Sequence, residues 1–193
     1  MDNQNQSGTT IQEICDPNGK LLKTITMQNG IPHGEMVAFD ENGKITCKLN
    51  YENGLLSGPA EFSMAGQPLM LTFFKSGLQD GKTTFFSNGV KVGEVNFLNG
   101  VFDGEFTSFD GDGNIIRIAS YAGGLQNGEC KTFYPNGVLL EHSFYENNSL
   151  QGETIKYFPS GNVREVSSFQ NGKPYGFIDT YDEDGNLKSR KEV

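Results

Sequence analysis

The chain of 193 residues lacks tryptophan and has no apolar run that approaches the length of a membrane span. With a mean hydropathy of −0.47, it is predicted to have no transmembrane helix. Residues 1–10 are polar and lack the apolar core of a secretory signal, so we do not expect export. The 15 Phe and 7 Tyr argue against a disordered chain, because such chains are poor in aromatic residues.

Basic residues are also few. Lys and Arg number 15 against 24 Asp and Glu, which gives a net charge of −9. This argues against nucleic acid as a partner, because nucleic acid binding requires a basic footprint, and against an anionic membrane surface. The acidity then has two interpretations. It keeps the surface soluble, or it steers the chain to a protein partner with a basic face.

Cysteine and histidine are too scarce for a metal or catalytic site. Cys15, Cys47 and Cys130 form no Cys-x-x-Cys pair, which argues against a disulfide framework or a zinc site and favours reduced thiols in the cytoplasm. Only His33 and His142 are available to a catalytic Ser-His-Asp or Cys-His set, and nothing in their spacing brings them together. We therefore predict no enzyme activity, no metal and no cofactor.

Two acidic patterns resemble functional motifs, but each favours a structural interpretation. Four glutamates recur at one repeat position, which is typical of a structural residue rather than of a catalytic carboxylate pair. These are Glu35, Glu105, Glu129 and Glu153. Residues 110–114 and 182–186 resemble the start of a calcium loop, but they lack its sixth-position glycine and twelfth-position glutamate. Both segments are therefore predicted to be hairpin turns.

Of the 25 glycines, 21 follow a period of 23 or 24 residues in three series. One series contains Gly30, Gly54, Gly77, Gly100, Gly124 and Gly172. Its only departure from glycine is Asn148, a residue type that tolerates positive φ. Another follows four residues later and is predicted to consist of structural turn glycines. Its members are Gly34, Gly58, Gly81, Gly104, Gly128, Gly152 and Gly176. The last series, for example Gly43, is eight or nine residues further on. Such a period indicates a repeat protein.

Aromatic residues keep the same period and are predicted to be structural. They are Phe39, Tyr51, Phe62, Phe74, Phe85, Phe97, Phe109, Tyr121, Phe133, Tyr145, Tyr157, Phe169 and Tyr181. Segments of six to eight residues between the glycines have strand length, and Asn42-Gly43 and Asn88-Gly89 predict tight hairpins. Residues 52–58 are predicted to form a longer loop. In the second repeat, Pro59, Gly66 and Pro68 are expected to weaken strand pairing.

These patterns predict an all-β fold: an elongated single-layer antiparallel sheet of tandem β-hairpin repeats, with about 15 strands and essentially no helix. Residues 1–10 are predicted to be a flexible N-terminus. Residues 11–193 are predicted to be one repeat domain, consisting of a leading half-repeat and seven repeats of 23 or 24 residues.

The repeat resembles a known family in residues 99–105, with Phe109 and Gly113, and again in Gly128-Glu129 with the aromatic pair at 133–134. This pattern is similar to the MORN repeat, and more closely to its bacterial variant, found in the YwqK-type antitoxin family. The resemblance implies an antiparallel sheet that binds proteins, dimerises or associates with membranes, and the antitoxin family implies toxin neutralisation. The chain departs from the pattern at Pro59, Lys82 and Phe177.

The expected function is therefore that of a non-catalytic protein-binding module, an antitoxin or immunity-type protein that binds a toxin or effector with a basic face. The alternative is a self-associating scaffold, hence a homo-oligomer, or a membrane-adjacent adaptor. Residues outside the repeat pattern are the candidates for specificity. We expect His33, Phe102 and Tyr175, interpreted as loop residues, to contact the partner.

Overall fold

A computed structural model describes residues 8–193 as 19 antiparallel strands of one sheet, with no helix in that range. The predicted all-β class, built of tandem antiparallel hairpins, is confirmed. The strands are β1 (Thr9–Cys15), β2 (Leu21–Gln28), β3 (Ile31–Phe39), β4 (Ile45–Glu52), β5 (Leu55–Leu56), β6 (Gly58–Met64), β7 (Gln67–Lys75), β8 (Leu78–Gln79), β9 (Gly81–Ser87), β10 (Val90–Leu98), β11 (Val101–Phe109), β12 (Ile115–Ala122), β13 (Leu125–Phe133), β14 (Leu139–Glu146), β15 (Ser149–Leu150), β16 (Gly152–Tyr157), β17 (Val163–Gln170), β18 (Lys173–Tyr181) and β19 (Leu187–Glu192). Across residues 8–193, no helix is long and apolar enough to span a membrane.

The strand count exceeds the predicted number of about 15 for two reasons. The leading half-repeat is a complete hairpin, in which β1 pairs with β2. In addition, three strands are divided by interruptions at Ser57, Asp80 and Gln151, which separate the two-residue strands β5, β8 and β15 from the strands that follow. Because β1 begins at Thr9, regular structure starts before the predicted boundary at residue 11. Most of the predicted flexible terminus lies outside the described residues.

The chain divides into two compact units. The first unit ends at Val90 and also includes residues 97–100, and the second contains residues 91–96 and 101–193. In the first unit β2 pairs with β3 and β3 with β4, and in the second β11 pairs with β12 and β12 with β13. Strands of these pairs are consecutive in sequence, and where a two-residue strand intervenes, β4 pairs with β6, β7 with β9 and β14 with β16. The repeat is built from local contacts, as the period predicts.

Consecutive repeats are joined by two-residue turns, which we call inter-repeat turns. In Asn53-Gly54 both residues have positive φ, 50° and 84°, the signature of a type I′ hairpin turn. The prediction of a long loop over residues 52–58 is therefore wrong. The chain reverses at Asn53-Gly54, and Leu55 and Leu56 immediately pair back with the end of β4. Asn-Gly satisfies the positive φ of both positions, which is why the connection is so short.

The turn inside each repeat occurs in two lengths, which explains the difference in glycine spacing. In the two repeats with the shorter spacing, Ala65-Gly66 and Asn88-Gly89 are two-residue turns with positive φ at both positions. Elsewhere the turn is one residue longer and only its glycine has positive φ, as in residues 40–44. There the Asp40 carboxylate accepts hydrogen bonds from the N–H groups of Asn42 and Lys44 at 2.8 and 2.9 Å.

Residues 110–114 and 182–186 form the same longer turn, as predicted. Asp110 accepts bonds from the N–H groups of Asp112 and Asn114, and Asp182 accepts them from Asp184 and Asn186. The hydrogen bonds to Asn114 and Asn186 lower the pKa of Asp110 and Asp182 respectively. The carboxylates therefore hold the turn closed in their ionised form.

The second repeat pairs as regularly as the others. β6 and β7 stay in register from Gly58↔Phe74 to Met64↔Gln67, with one irregularity after Phe62. The expected weakening by prolines is wrong, since Pro68 lies at the second position of its strand, beside the hairpin turn. The carbonyl oxygen of Pro59 accepts a 2.7 Å hydrogen bond from the Asn50 side chain, which ties the proline to β4.

The core of each unit is a row of small or aliphatic side chains at the middle of successive strands. In the first unit the buried row contains Leu49, Ala60, Thr72 and Thr83, and in the second it contains Val95, Ala119, Cys130, Ser143, Thr154 and Ser167. The repeat aromatics flank this row, for example Tyr51 two residues after Leu49. Because alternate residues of a strand share a face, we call this side of each strand the aromatic face and the opposite side the polar face.

Candidate binding surface

The thirteen repeat aromatics are all half-buried, and their structural role stays a prediction. In the second unit, Phe102 makes an edge contact with Tyr121 at a centroid distance of 5.5 Å and stacks on Phe106 at 6.4 Å. Phe102 lies on β11 rather than in a loop, so this predicted binding residue is part of the aromatic packing.

The second glycine series lies in β-bulges rather than in turns. In the β2–β3 pair, Ile25 faces Met36 and Met27 faces Pro32, so Gly34 is in the extra segment of the bulged strand. Its φ is 106°. A Cβ on Gly34 would lie 3.1 Å from the Thr26 side chain of the neighbouring strand. Glycine is required there by both backbone conformation and space.

His33 and Tyr175 occupy the same repeat position, on strands β3 and β18, so the interpretation as non-repeated loop residues is wrong. His33 Nδ1 accepts a hydrogen bond from the N–H of Asn53 at 3.4 Å. The equivalent Gln151 side chain accepts one from Asn171 at 2.9 Å. This position therefore caps the next inter-repeat turn. Tyr175 is 50% exposed and is the most open of the three predicted binding residues.

The polar face carries exposed rings that sequence reasoning missed. Phe73 of β7 is 45% exposed beside buried Thr72, and Phe144 of β14 is 40% exposed beside buried Ser143. Each of these phenylalanines directly precedes a repeat aromatic in the sequence. Because successive strand residues point to opposite faces, an aromatic doublet places one ring on each face. The doublet was the signal that would have identified them.

Phe144 is surrounded by charged groups. Glu129 is its cross-strand partner on β13. Glu153 lies on the neighbouring strand β16, two residues before Ile155, which pairs with His142. The His142 ring is 4.8 Å from the Phe144 ring, centroid to centroid. Both glutamates are exposed, so an accessible ring has one solvated carboxylate directly across the β13–β14 pair and a second on the next strand, β16.

Glu129 is held in its ionised form. A hydrogen bond from the Lys131 ammonium lowers the pKa of Glu129, and His142 contributes in the same direction. His142 Nε2 lies 3.5 Å from Glu129 Oε1. We call Glu129, Lys131, His142, Phe144 and Glu153 the Phe144 cluster. The cluster offers a partner one exposed aromatic ring with charged side chains around it. This combination is typical of protein-binding surfaces.

A second feature of the polar face lies in the first unit. A groove of about 350 Å³ is lined by residues that include Glu35, Lys48, Pro59, Glu61 and Leu71. Its carboxylates and ammonium belong to different strands. Across residues 8–193, no group of three or more His, Cys, Asp or Glu residues is arranged to hold a metal ion.

Comparison with known proteins agrees with the repeat that the structure displays. Four segments match the family model described as a MORN repeat variant, residues 32–53, 102–122, 126–147 and 150–171. Each segment begins just after one inter-repeat turn and ends at the next. These matches support a MORN repeat protein, and they do not single out the antitoxin family.

Other comparisons add little. No curated protein matches the chain. Among solved structures, it is similar to a porin-like protein from Bacteroides uniformis, with 11% sequence identity and a TM-score of 0.24. The alignment covers 91% of this chain and 60% of that one, so the chain spans less than two thirds of that protein's length. A TM-score this low carries no argument about fold or function.

Proposed function

We propose that this chain is a non-catalytic protein-binding repeat module, which acts in the cytoplasm as an antitoxin or immunity-type protein and neutralises a toxin by direct binding. The observation that carries the proposal is the exposed Phe144 ring on β14, between the strands that carry Glu129 and Glu153. The free cysteines, among them the exposed Cys15, support a reducing compartment.

The Phe144 cluster favours a partner with a basic face. An arginine or lysine of the partner can lie over the Phe144 ring as a cation–π contact while its charge pairs with either glutamate. Such contacts contribute about 0.5–2 kcal/mol each. The net charge of −9 adds long-range attraction to the same kind of partner and raises the association rate.

Binding and neutralisation are tested together. The tagged chain is used to isolate its partner from the native host, and each candidate toxin is then expressed with and without the chain while growth is measured. We expect a one-to-one complex and restored growth. The Phe144→Ala variant should weaken binding at least tenfold and lose protection, because aromatic anchors dominate interface energies.

Phe73→Ala is the matched control, because Phe73 is similarly exposed but lies in the first unit. It should bind as the unmodified chain does. Equal weakening by both variants would contradict the placement of the site. Recovery of homo-oligomers alone would overturn neutralisation in favour of the scaffold alternative, and binding to anionic vesicles would favour the membrane-adjacent adaptor.

A further inference from the structure

The sequence contains nine Asn-Gly pairs, which the fold holds in different ways. Five of them form turns with nearly identical backbone conformations: Asn29-Gly30, which borders the start of the described residues, and four that lie wholly within them. At Asn53, Asn88, Asn99 and Asn171 the φ values are 50°, 51°, 50° and 51°, and the glycine that follows also has positive φ. Conformation and the Asn-Gly pair are thus constant across the four. Their hydrogen bonding differs.

Three of these turns are tied to the preceding repeat. The N–H groups of Gly54, Gly100 and Gly172 donate hydrogen bonds of 2.8, 2.8 and 2.9 Å to carbonyl oxygens of the repeat before. The asparagine N–H groups of the same turns are bonded as well, to the side chains of His33, Asp80 and Gln151. Two bonds therefore restrain each of these Asn-Gly pairs.

Asn88-Gly89 is the exception. It forms the hairpin turn between β9 and β10 rather than an inter-repeat turn. Neither its Asn N–H nor its Gly N–H donates a hydrogen bond to any residue of the described range 8–193. Both residues are exposed, and the nearest atom to a Cβ on Gly89 would be the end of the flexible Gln67 side chain.

We infer that Asn88 is the preferred site of spontaneous deamidation among these four turns. The backbone nitrogen of Gly89 attacks Cγ of Asn88 and forms a five-membered imide. The Cγ–Nδ2 bond breaks, and Nδ2 leaves as ammonia with the proton of the Gly89 N–H. Water then opens the imide at either carbonyl, which gives aspartate or isoaspartate and one added negative charge.

The restraint on the glycine nitrogen sets the order of rates. Where the glycine N–H is bonded to the preceding repeat, that hydrogen bond must open before the nitrogen can attack. The deamidation rate is therefore reduced to the fraction of turns in which the bond is open. The net contribution of one hydrogen bond changes the equilibrium constant for this opening by about 2- to 13-fold. Asn88 should therefore deamidate about 2- to 13-fold faster than each of the other three.

The experiment incubates the folded chain in mildly alkaline buffer and follows the four peptides by mass spectrometry, with a parallel sample in urea. We expect Asn88 to react first in the folded chain and the four sites to converge in urea. Equal rates in the folded chain would overturn the inference. So would an Asn88 excess that persists in urea, since the cause would then be local sequence.

Hydrogen exchange supplies an independent measurement. The Gly89 amide should exchange faster than those of Gly54, Gly100 and Gly172, because it alone has no acceptor to protect it. Exchange of Gly89 as slow as that of the other three would contradict the assignment even if the deamidation order agreed. An Asn88→Gln variant should remove the fast-reacting site and leave the rates at the other three unchanged.

Discussion

The N–H of Gly54 donates a 2.8 Å hydrogen bond to the carbonyl oxygen of Pro32, in the preceding repeat. The same bond recurs as Gly77 to Leu56 in the first unit and as Gly124 to Phe102 in the second. A turn that merely reverses the chain therefore also fastens each repeat to the one before it. This coupling is what makes the repeats mutually dependent, as expected of a repeat array.

Gly34→Ala should destabilise the chain by about 1–3 kcal/mol, because φ is 106° and the new Cβ would lie 3.1 Å from Thr26. Gly128→Ala should behave alike, against Ser120. Gly111→Ala is the control, since no atom would lie within 4 Å of its Cβ and its φ is not positive. Urea unfolding measures all three, and a loss at Gly111 equal to that at Gly34 would refute the bulge argument.

Thr83 and Thr154 occupy the same repeat position but should respond oppositely to valine. The Thr83 hydroxyl lies 2.5 Å from that of Thr72, whereas Thr154 Oγ1 is buried with no partner within residues 8–193. Thr83→Val should lower the free energy of unfolding by about 1 kcal/mol. Thr154→Val should raise it by about 1 kcal/mol, because an unsatisfied buried hydroxyl is removed. Changes of the same sign in thermal unfolding would disprove this account.

Asn148→Gly should destabilise, although glycine is the residue found at this position in the other repeats. Asn148 Oδ1 accepts a 2.7 Å bond from the N–H of Gln126, and the Asn148 N–H donates to the Gln126 carbonyl at 2.9 Å. Glycine relieves the positive φ but leaves the Gln126 N–H without its acceptor, at a net cost of about 1 kcal/mol. A more stable variant in chemical denaturation would show that conformation outweighs the bond.

The chain should become less stable in acid, because the turns closed by Asp110 and Asp182 depend on ionised carboxylates. Folding lowers the pKa of Asp110 and Asp182, so their contribution is present above the unfolded pKa of about 3.9 and is lost as the pH falls through the folded values. The Asp110→Asn, Asp182→Asn double variant keeps a side-chain oxygen but not the charge, and its stability should depend less on pH below about 4.

The control for the acid experiment is Asp112→Asn in the turn that Asp110 closes. The Asp112 side chain makes no hydrogen bond within residues 8–193, so its removal should leave the acid dependence unchanged. The measurement is the urea midpoint across a pH series. A double variant with the same pH dependence as the unmodified chain would rule out the turns as the source.

The candidate site was less accessible to sequence reasoning than the fold. Periodicity identifies residues that repeat, and it predicts that His33, Phe102 and Tyr175 are exceptions. His33 and Tyr175 in fact share one capping position, and Phe102 packs against Tyr121. Phe144 was overlooked because it adjoins a repeat aromatic, and only strand parity separates the two rings onto opposite faces.

The sequence by itself determined the period, the all-β class and the tight turns, because positive φ at Asn-Gly pairs and period-two alternation act within a few residues of chain. Tertiary structure decided which bonds those turns make to the preceding repeat, why Gly34 faces Thr26, and which rings remain exposed. The bonds between repeats join atoms about twenty residues apart, and Gly34 meets Thr26 of the neighbouring strand; both are brought together by strand register and bulges. No local propensity specifies such distances, so only the folded arrangement distinguishes Asn88 from Asn53.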